Sequence, residues 1–257
     1  MKYLKYSLLL ILIVFSFYFT EKIMIYMENK NPIMQEISKK EMLYRTESVN
    51  AIIKDNTIVP GIDGKIVDKR KSLLKMEGFG SFNETFLIYK YEKPKISLEN
   101  NKDKIIIKGN PSKRMVSFIL EDHSNVTDYF IENKIKYNII ANLKSDLSLN
   151  REYLNGEIIR EKASDLNSLL NKNKVNSRLC IINYSNIEYC IEKKHYIIDP
   201  MIKTSSNINL ILNGIHSGSM ILINKNTSIE NIKLILSEIR KQDLNIVYVS
   251  ELISEIN

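Results

Sequence analysis

Imidazole and thiol side chains are few and widely spaced. Three histidines (His123, His195, His216) and two cysteines (Cys180, Cys190) are all that the 257-residue chain offers. No CxxC or HxxxH spacing occurs among them, which disfavours a zinc site built wholly from His and Cys. Other polar groups stand in a more suggestive place, directly after short apolar runs: Glu121-Asp122-His123, Asn142-Leu143, Asn183-Tyr184, Asp199 and Asn224. Carboxylates there suit general base work or a hard cation. His123 adjoins Asp122 on an extended stretch, where neighbours point opposite ways, and His216 precedes its apolar run rather than following it. Cys180 and Cys190 fall on a predicted strand and the next helix, leaving either a disulfide or two buried thiols.

The elements that must position these groups alternate along the chain. Strand-like runs cover 115–120, 138–142, 179–183, 196–198, 219–223 and 245–249. Helical periods fall between them near 126–133, 165–171, 187–194, 207–212 and 229–242, with Ser250 as the cap of a last helix. The 229–242 helix is the best defined, because Thr227 or Ser228 can cap it and Ile229, Ile232, Ile235, Leu236 and Ile239 form one stripe. Repeated strand-then-helix units predict a parallel sheet or a small barrel, with chemistry at the carboxyl ends of the strands. Upstream, residues 51–110 read as a small module: extended pieces around Pro60-Gly61 and Asp63-Gly64, a helix at 69–76, and strands at 86–91 and 104–108.

The first residues are of another kind. Tyr6 to Thr20 carry no charge, follow Lys2 and Lys5, and are closed by Glu21 and Lys22. The run ends in bulky aromatics without a small-x-small pair, so an uncleaved signal-anchor over 1–27 is expected, with a stalk at 28–50. Basic residues before the span place the remainder outside the cytoplasm. With 44% hydrophobic and 26% charged residues, wholesale disorder and disulfide-scaffold classes are excluded. The net charge of +7 suits anionic wall polymers or lipid headgroups, whereas no aromatic-interleaved basic stretch points to nucleic acid.

Taken together, the strand ends carry a family resemblance. Met115-Val116-Ser117-Phe118-Ile119-Leu120-Glu121-Asp122 resembles the opening VSLTFDD motif of polysaccharide deacetylases, carbohydrate esterase family 4. In order, Asn133 to Ile140 is similar to that family's KYNIKATFF phrase, Asn155 to Glu161 to its GHEIGNH, Cys180 to Tyr184 to its FRPPY, and Gly218 to Asn224 to its GSIILLH. The closing helix and strand match over Ile232 to Leu252, so the likeness spans 111–256. The 50–110 text also resembles the module preceding such domains in membrane-anchored members.

The resemblance implies a shortened, distorted (β/α) barrel over 111–257, preceded by the 51–110 module. It also implies metal-assisted amide hydrolysis, with a base, a metal-ligating Asp and two His, and a late acid His. Carried over by position, Glu121 replaces the base, Asn224 the acid and Ile181 the Arg that orients the base. Glu161 and Asp165 replace the two His, and Asp122 alone is kept. Asp122, Glu161 and Asp165 form an all-carboxylate set suited to a divalent cation, the last two sharing a helical face. Tyr184 matches the aromatic of FRPPY and would line the groove.

Asn224 cannot exchange a proton near neutral pH, and Glu121 is a methylene longer than Asp. The expectation is therefore a catalytically degenerate, membrane-anchored protein of the envelope that binds glycan or acts as a scaffold, without a cofactor. Two alternatives stay open: an active metal-dependent N-deacetylase of peptidoglycan or another N-acetylated polysaccharide, and a purely structural partner of a membrane complex.

Overall fold

The structure, a computed structural model, describes residues 2–121, 126–141, 156–160, 178–183, 185 and 187–256. Their contacts divide the chain into two units, one made of 1–47 and 64–92, the other of 48–63 and 93–257.

The first unit begins with helix α1 (Lys2–Lys30), whose side chains from Leu9 to Met27 are exposed. Its stretch Leu9–Lys30 is long and apolar enough to cross a membrane. Helix α2 (Pro32–Tyr44) follows, started by the Asn31 side chain, which accepts from the Ile33 amide, and by Pro32 in its first turn. The expected stalk is instead part of a packed core. Ile33, Met34 and Ile37 of α2 are buried with Val67, Leu73, Met76 and Leu87. These come from strand β3 (Gly64–Val67), helix α3 (Lys69–Glu77, capped by Asp68) and the segment leading to β4 (Tyr89–Glu92), which pairs antiparallel with β3. Arg70 Nε meets Glu28 at 3.0 Å and Lys69 meets Glu41 at 2.7 Å, tying α3 to α1 and α2.

Among the described residues, the second unit is built on an 11-stranded sheet. Its strands are β1 (Ile52–Lys54), β2 (Thr57–Val59), β5 (Ile105–Ile106), β6 (Met115–Leu120), β7 (Asn138–Ala141), β8 (Glu157–Arg160), β9 (Leu179–Ile181), β10 (Tyr196–Ile198), β11 (Ile202–Lys203), β12 (Met220–Ile223) and β13 (Asn245–Ile246). They run in the order β1-β2-β5-β10-β9-β8-β7-β6-β12-β11, with β13 beside β6. Every pair is parallel except the β1–β2 hairpin. Helices α4 (Thr127–Glu132), α5 (Ile187–Glu192), α6 (Ile208–Gly214), α7 (Ile229–Lys241) and α8 (Val249–Ile253) fill the connections among the described residues.

A parallel sheet is covered on both faces, and the strands alternate accordingly. From β6, Val116, Phe118 and Leu120 join one core with Ile221 and Ile223 of β12 and the α7 stripe Ile232, Ile235 and Ile239. Ile119, together with Met220 and Leu222 of β12, turns to the other core, with Ile140, Ile159, Ile181 and Ile198. The 51–110 text does not act as one module, since β1, β2 and β5 enter this sheet while 64–92 belong to the first unit. Ile58 of β2 pairs in register with Ile106 of β5 and is fully buried.

Two local expectations change. The strand at 245–249 is only two residues long, and α8 starts at Val249, where Tyr248 rather than Ser250 holds the cap position and its amide donates to Glu251. Residues 254–256 form a clamp. Glu255 Oε1 accepts from the amides of Gly61 (2.9 Å) and Leu98 (2.8 Å), and its carbonyl from Asp63 (2.6 Å). Lys113 Nζ donates to the Ser254 and Ile256 carbonyls, both at 2.6 Å. Burial holds the Lys113 ammonium below the ordinary lysine pKa, opposed by the charges of Asp63 and Glu255.

Candidate functional site

Strands β6 and β12 are in register, with Leu120 opposite Ile223. The next residue on each, Glu121 and Asn224, therefore emerges at the same carboxyl end of the sheet, and the Glu121 amide still donates to the Ile223 carbonyl at 3.0 Å. Both side chains are half-buried, and they bond to each other. Asn224 Nδ2 donates to Glu121 Oε1 at 3.1 Å, while the Lys225 amide donates to Glu121 Oε2 at 3.0 Å. Each carboxylate oxygen thus accepts a protein N–H.

Asn224 is held from the other side by the segment after β11. Its Oδ1 accepts from the Ser205 amide (3.0 Å) and the Thr204 hydroxyl (3.3 Å), and its own amide donates to Thr204 Oγ1 (2.8 Å). Thr204 Oγ1 and Thr227 Oγ1 share a hydrogen bond at 2.5 Å. The Asn224 carbonyl accepts from the Thr227 amide at 3.0 Å. Every polar atom of Asn224 is engaged. Sequence reading found Glu121 and Asn224 but missed Thr204, Lys225 and Thr227, which hold them. Only the threonine and lysine beside a strand end could have signalled these.

This clasp occupies the two positions that the resemblance assigns to base and acid. Both oxygens of the Glu121 carboxylate are engaged by protein N–H groups, and an amide at the acid position is no acid near pH 7. Nor does the pair suit a cation: Asn224 turns its N–H toward the carboxylate and its oxygen toward an amide. Among the described residues no group of three His, Cys, Asp or Glu gathers as a metal site. The expected ligands Asp122, Glu161 and Asp165, the groove residue Tyr184 and His123 lie outside the described residues. His216 is exposed and precedes β12, at the end away from the clasp.

Below the clasp a second polar group crosses the sheet. Asn138 on β7 is fully buried; its Nδ2 donates to Ser117 Oγ and the Phe118 carbonyl, both at 2.8 Å, and its Oδ1 accepts from the Val249 amide at 3.1 Å. Ser117 Oγ in turn donates to the Val247 carbonyl at 2.8 Å. The network joins β6 and β7 to the start of α8. Cys180 on β9 and Cys190 on α5 are joined in a disulfide, with Cα atoms 6.4 Å apart.

No protein-family model matches the chain. The wild-type form of a CE4 family pseudoenzyme from Bacillus anthracis superposes with a TM-score of 0.61 at 18% identity, covering 88% of this chain and 96% of that one. The fold is that of a divergent carbohydrate esterase family 4 (CE4) domain. A mutant of the same pseudoenzyme, described as having restored enzymatic activity, superposes equally well, with a TM-score of 0.61 at 18% identity over 88% of this chain and 99% of the other. An uncharacterized Bacillus subtilis protein, YlxY, is 37% identical over 93 residues, a match spanning 36% of this chain and 29% of that protein. In this CE4 fold the expected mixed α/β architecture holds, with an open strand path from β1 to β11 among the described residues.

Proposed function

We propose that the chain is a membrane-anchored, extracytoplasmic CE4-type pseudoenzyme of the cell envelope, which has lost N-deacetylase activity and serves in glycan binding or as a scaffold. The observation that carries this reading is the Glu121–Asn224 clasp, in which the base and acid positions hydrogen-bond to each other at 3.1 Å instead of flanking a substrate. General acid–base help is worth about 10² to 10⁴ in rate, and neither residue is free to supply it. The bacterial neighbour described as a CE4 family pseudoenzyme is consistent with this.

The placement outside the cytoplasm is supported by two independent features. Lys2 and Lys5 precede an apolar helix long enough to span, which favours a cytoplasmic start. The Cys180–Cys190 disulfide suits an oxidising compartment.

The test uses the full chain in a non-ionic detergent. It is titrated calorimetrically with Zn²⁺, Mn²⁺, Co²⁺ and Ca²⁺ and assayed for acetate release from N-acetylated chito-oligomers and peptidoglycan. The expected result is no acetate above the blank, together with retention on the glycan. Metal-dependent acetate release that disappears in Asp122→Ala would establish a working deacetylase instead. Absence of both acetate and glycan retention would leave the purely structural role.

A further inference from the structure

Helix α3 is tied to the end of α1. The stretch Leu9–Lys30 has 22 residues, about 33 Å at about 1.5 Å per residue, against a hydrocarbon core of about 30 Å. When it spans a bilayer, its last turn, from Met27 to Lys30, falls at headgroup level. Lys30 Nζ lies 4.6 Å from the centroid of the Tyr26 ring, an aromatic and a cation of the kind that suits that level. Glu28, in this same turn, meets Arg70 Nε at 3.0 Å. The ion pair sets the start of α3 where the chain leaves the membrane.

Four residues apart, Arg70 and Leu74 share one face of α3. The face turned to Glu28 therefore also carries Leu74, which is 63% exposed, while Ser72, Leu73 and Met76 are buried on the other. Two residues past the helix, Phe79 is 65% exposed between Gly78 and Gly80, the latter at φ +70°. Its ring is held in place by stacking on Phe86, with centroids 4.4 Å apart, and Lys75 Nζ lies 5.6 Å from the centroid of the same Phe86 ring. Residues 69–81 contain four basic side chains, Lys69, Arg70, Lys71 and Lys75, against one acid, Glu77. Lys71 and Lys75 are exposed; Lys71 meets Asp68 at 3.4 Å, whereas Lys75 forms no ion pair among the described residues. A lone exposed apolar side chain is ordinary. Two bulky ones rimmed by lysines, beside the end of a spanning helix, have the composition of an element that lies in a lipid interface. The excess of positive charge selects anionic headgroups.

We infer that α3 and the Gly78-Phe79-Gly80 turn rest on an anionic lipid surface. Leu74 and Phe79 enter the boundary between headgroups and acyl chains, and Lys71 and Lys75 meet lipid phosphates. The inference rests on the membrane-anchored reading of α1 and adds a second contact to it, which holds the first unit against the bilayer in one orientation.

The chain contains no Trp, so one substitution supplies one fluorescent reporter. The full chain carrying Phe79→Trp, Leu74→Trp or Phe19→Trp is reconstituted into vesicles of phosphatidylglycerol and phosphatidylcholine whose acyl chains bear bromine either near the headgroup or near the bilayer centre. Shallow bromine should quench Phe79→Trp at least about twofold, and deep bromine less. Leu74→Trp should behave alike, and it carries the test if Phe79→Trp fails to fold. In phosphatidylcholine alone, or with Lys71→Gln/Lys75→Gln added, the quenching should fall by about half. Phe19→Trp reports the span itself. If deep bromine quenches Phe19→Trp while neither bromine quenches Phe79→Trp or Leu74→Trp, the surface contact is refuted and the anchor stands. If neither bromine quenches Phe19→Trp, the anchor fails, and the contact that rests on it fails too. Quenching indifferent to lipid charge and to the two lysines overturns the anionic part of the assignment. A blue shift of Phe79→Trp without bromine quenching places protein over the patch, such as a second copy of the chain, and refutes the lipid contact.

Discussion

Replacing Glu121 with Ala leaves Asn224 Nδ2 and the Lys225 amide without their acceptor. The group is half-buried, so the expected destabilisation is modest, about 1–2 kcal/mol by urea unfolding, and acetate release should stay at the blank level. Asn138→Ala is more severe. It removes partners from Ser117, the Phe118 carbonyl and the Val249 amide in a fully buried place, and about 3 kcal/mol of stability should be lost in the same measurement. The positions of Glu121 and Asn224 were legible because each closes an apolar run. Their bond was not, because it joins residues 103 apart and follows from strand register, which local sequence does not encode. Thr204 stayed hidden for a related reason: it follows β11, whose two residues are too few to show any alternation. Asn138 did carry a signal, a polar residue inside the apolar run Asn-Ile-Ile, but its partners are long-range.

Whole elements were read most reliably where a cap and a stripe coincide. Helix α7 begins after Ser228, whose hydroxyl accepts from the Asn231 amide, and its buried residues are Ile232, Ile235, Leu236 and Ile239. Strands β1 and β11, of three and two residues, hold too few periods to show an alternation of their own and are completed by pairing with β2 and β12. Turns between elements make their own demands. Gly218 has φ +91°, and an added Cβ would lie 2.4 Å from the Gly109 carbonyl oxygen. Gly218→Ala should therefore lower stability by about 2 kcal/mol or more, read as a reduced melting temperature. In the first unit, the hydrogen bond with Glu84 pushes Tyr44 at the end of α2 up from 10.0 to about 12. The unfolded chain releases that proton near 10.0 while the folded one keeps it longer, so the contribution is present below 10.0 and lost as pH rises through about 12. Tyr44→Phe should flatten the fall in melting temperature between about pH 10 and about pH 12.

At the scale of the molecule, domain boundaries were the least legible feature. The chain leaves the second unit at residue 63 and returns at 93, an excursion that a linear reading takes for a continuous module. What closes the second unit around its first strands is the clamp at residues 254–256. Glu255→Ala strips two amides of their acceptor, and trypsin or chymotrypsin cleavage around residues 48–63 should become several-fold faster, with a stability loss of about 2 kcal/mol. The bond from Glu255 to Gly61 spans 194 residues. At synthesis rates of about 5–20 residues per second, residue 255 arrives roughly ten to forty seconds after residue 61. Throughout that interval Ile58, later fully buried, has emerged without the clamp that secures its strand. The time for which this segment is open to misassociation is thus set by the ribosome, and slower translation of the long central stretch lengthens it.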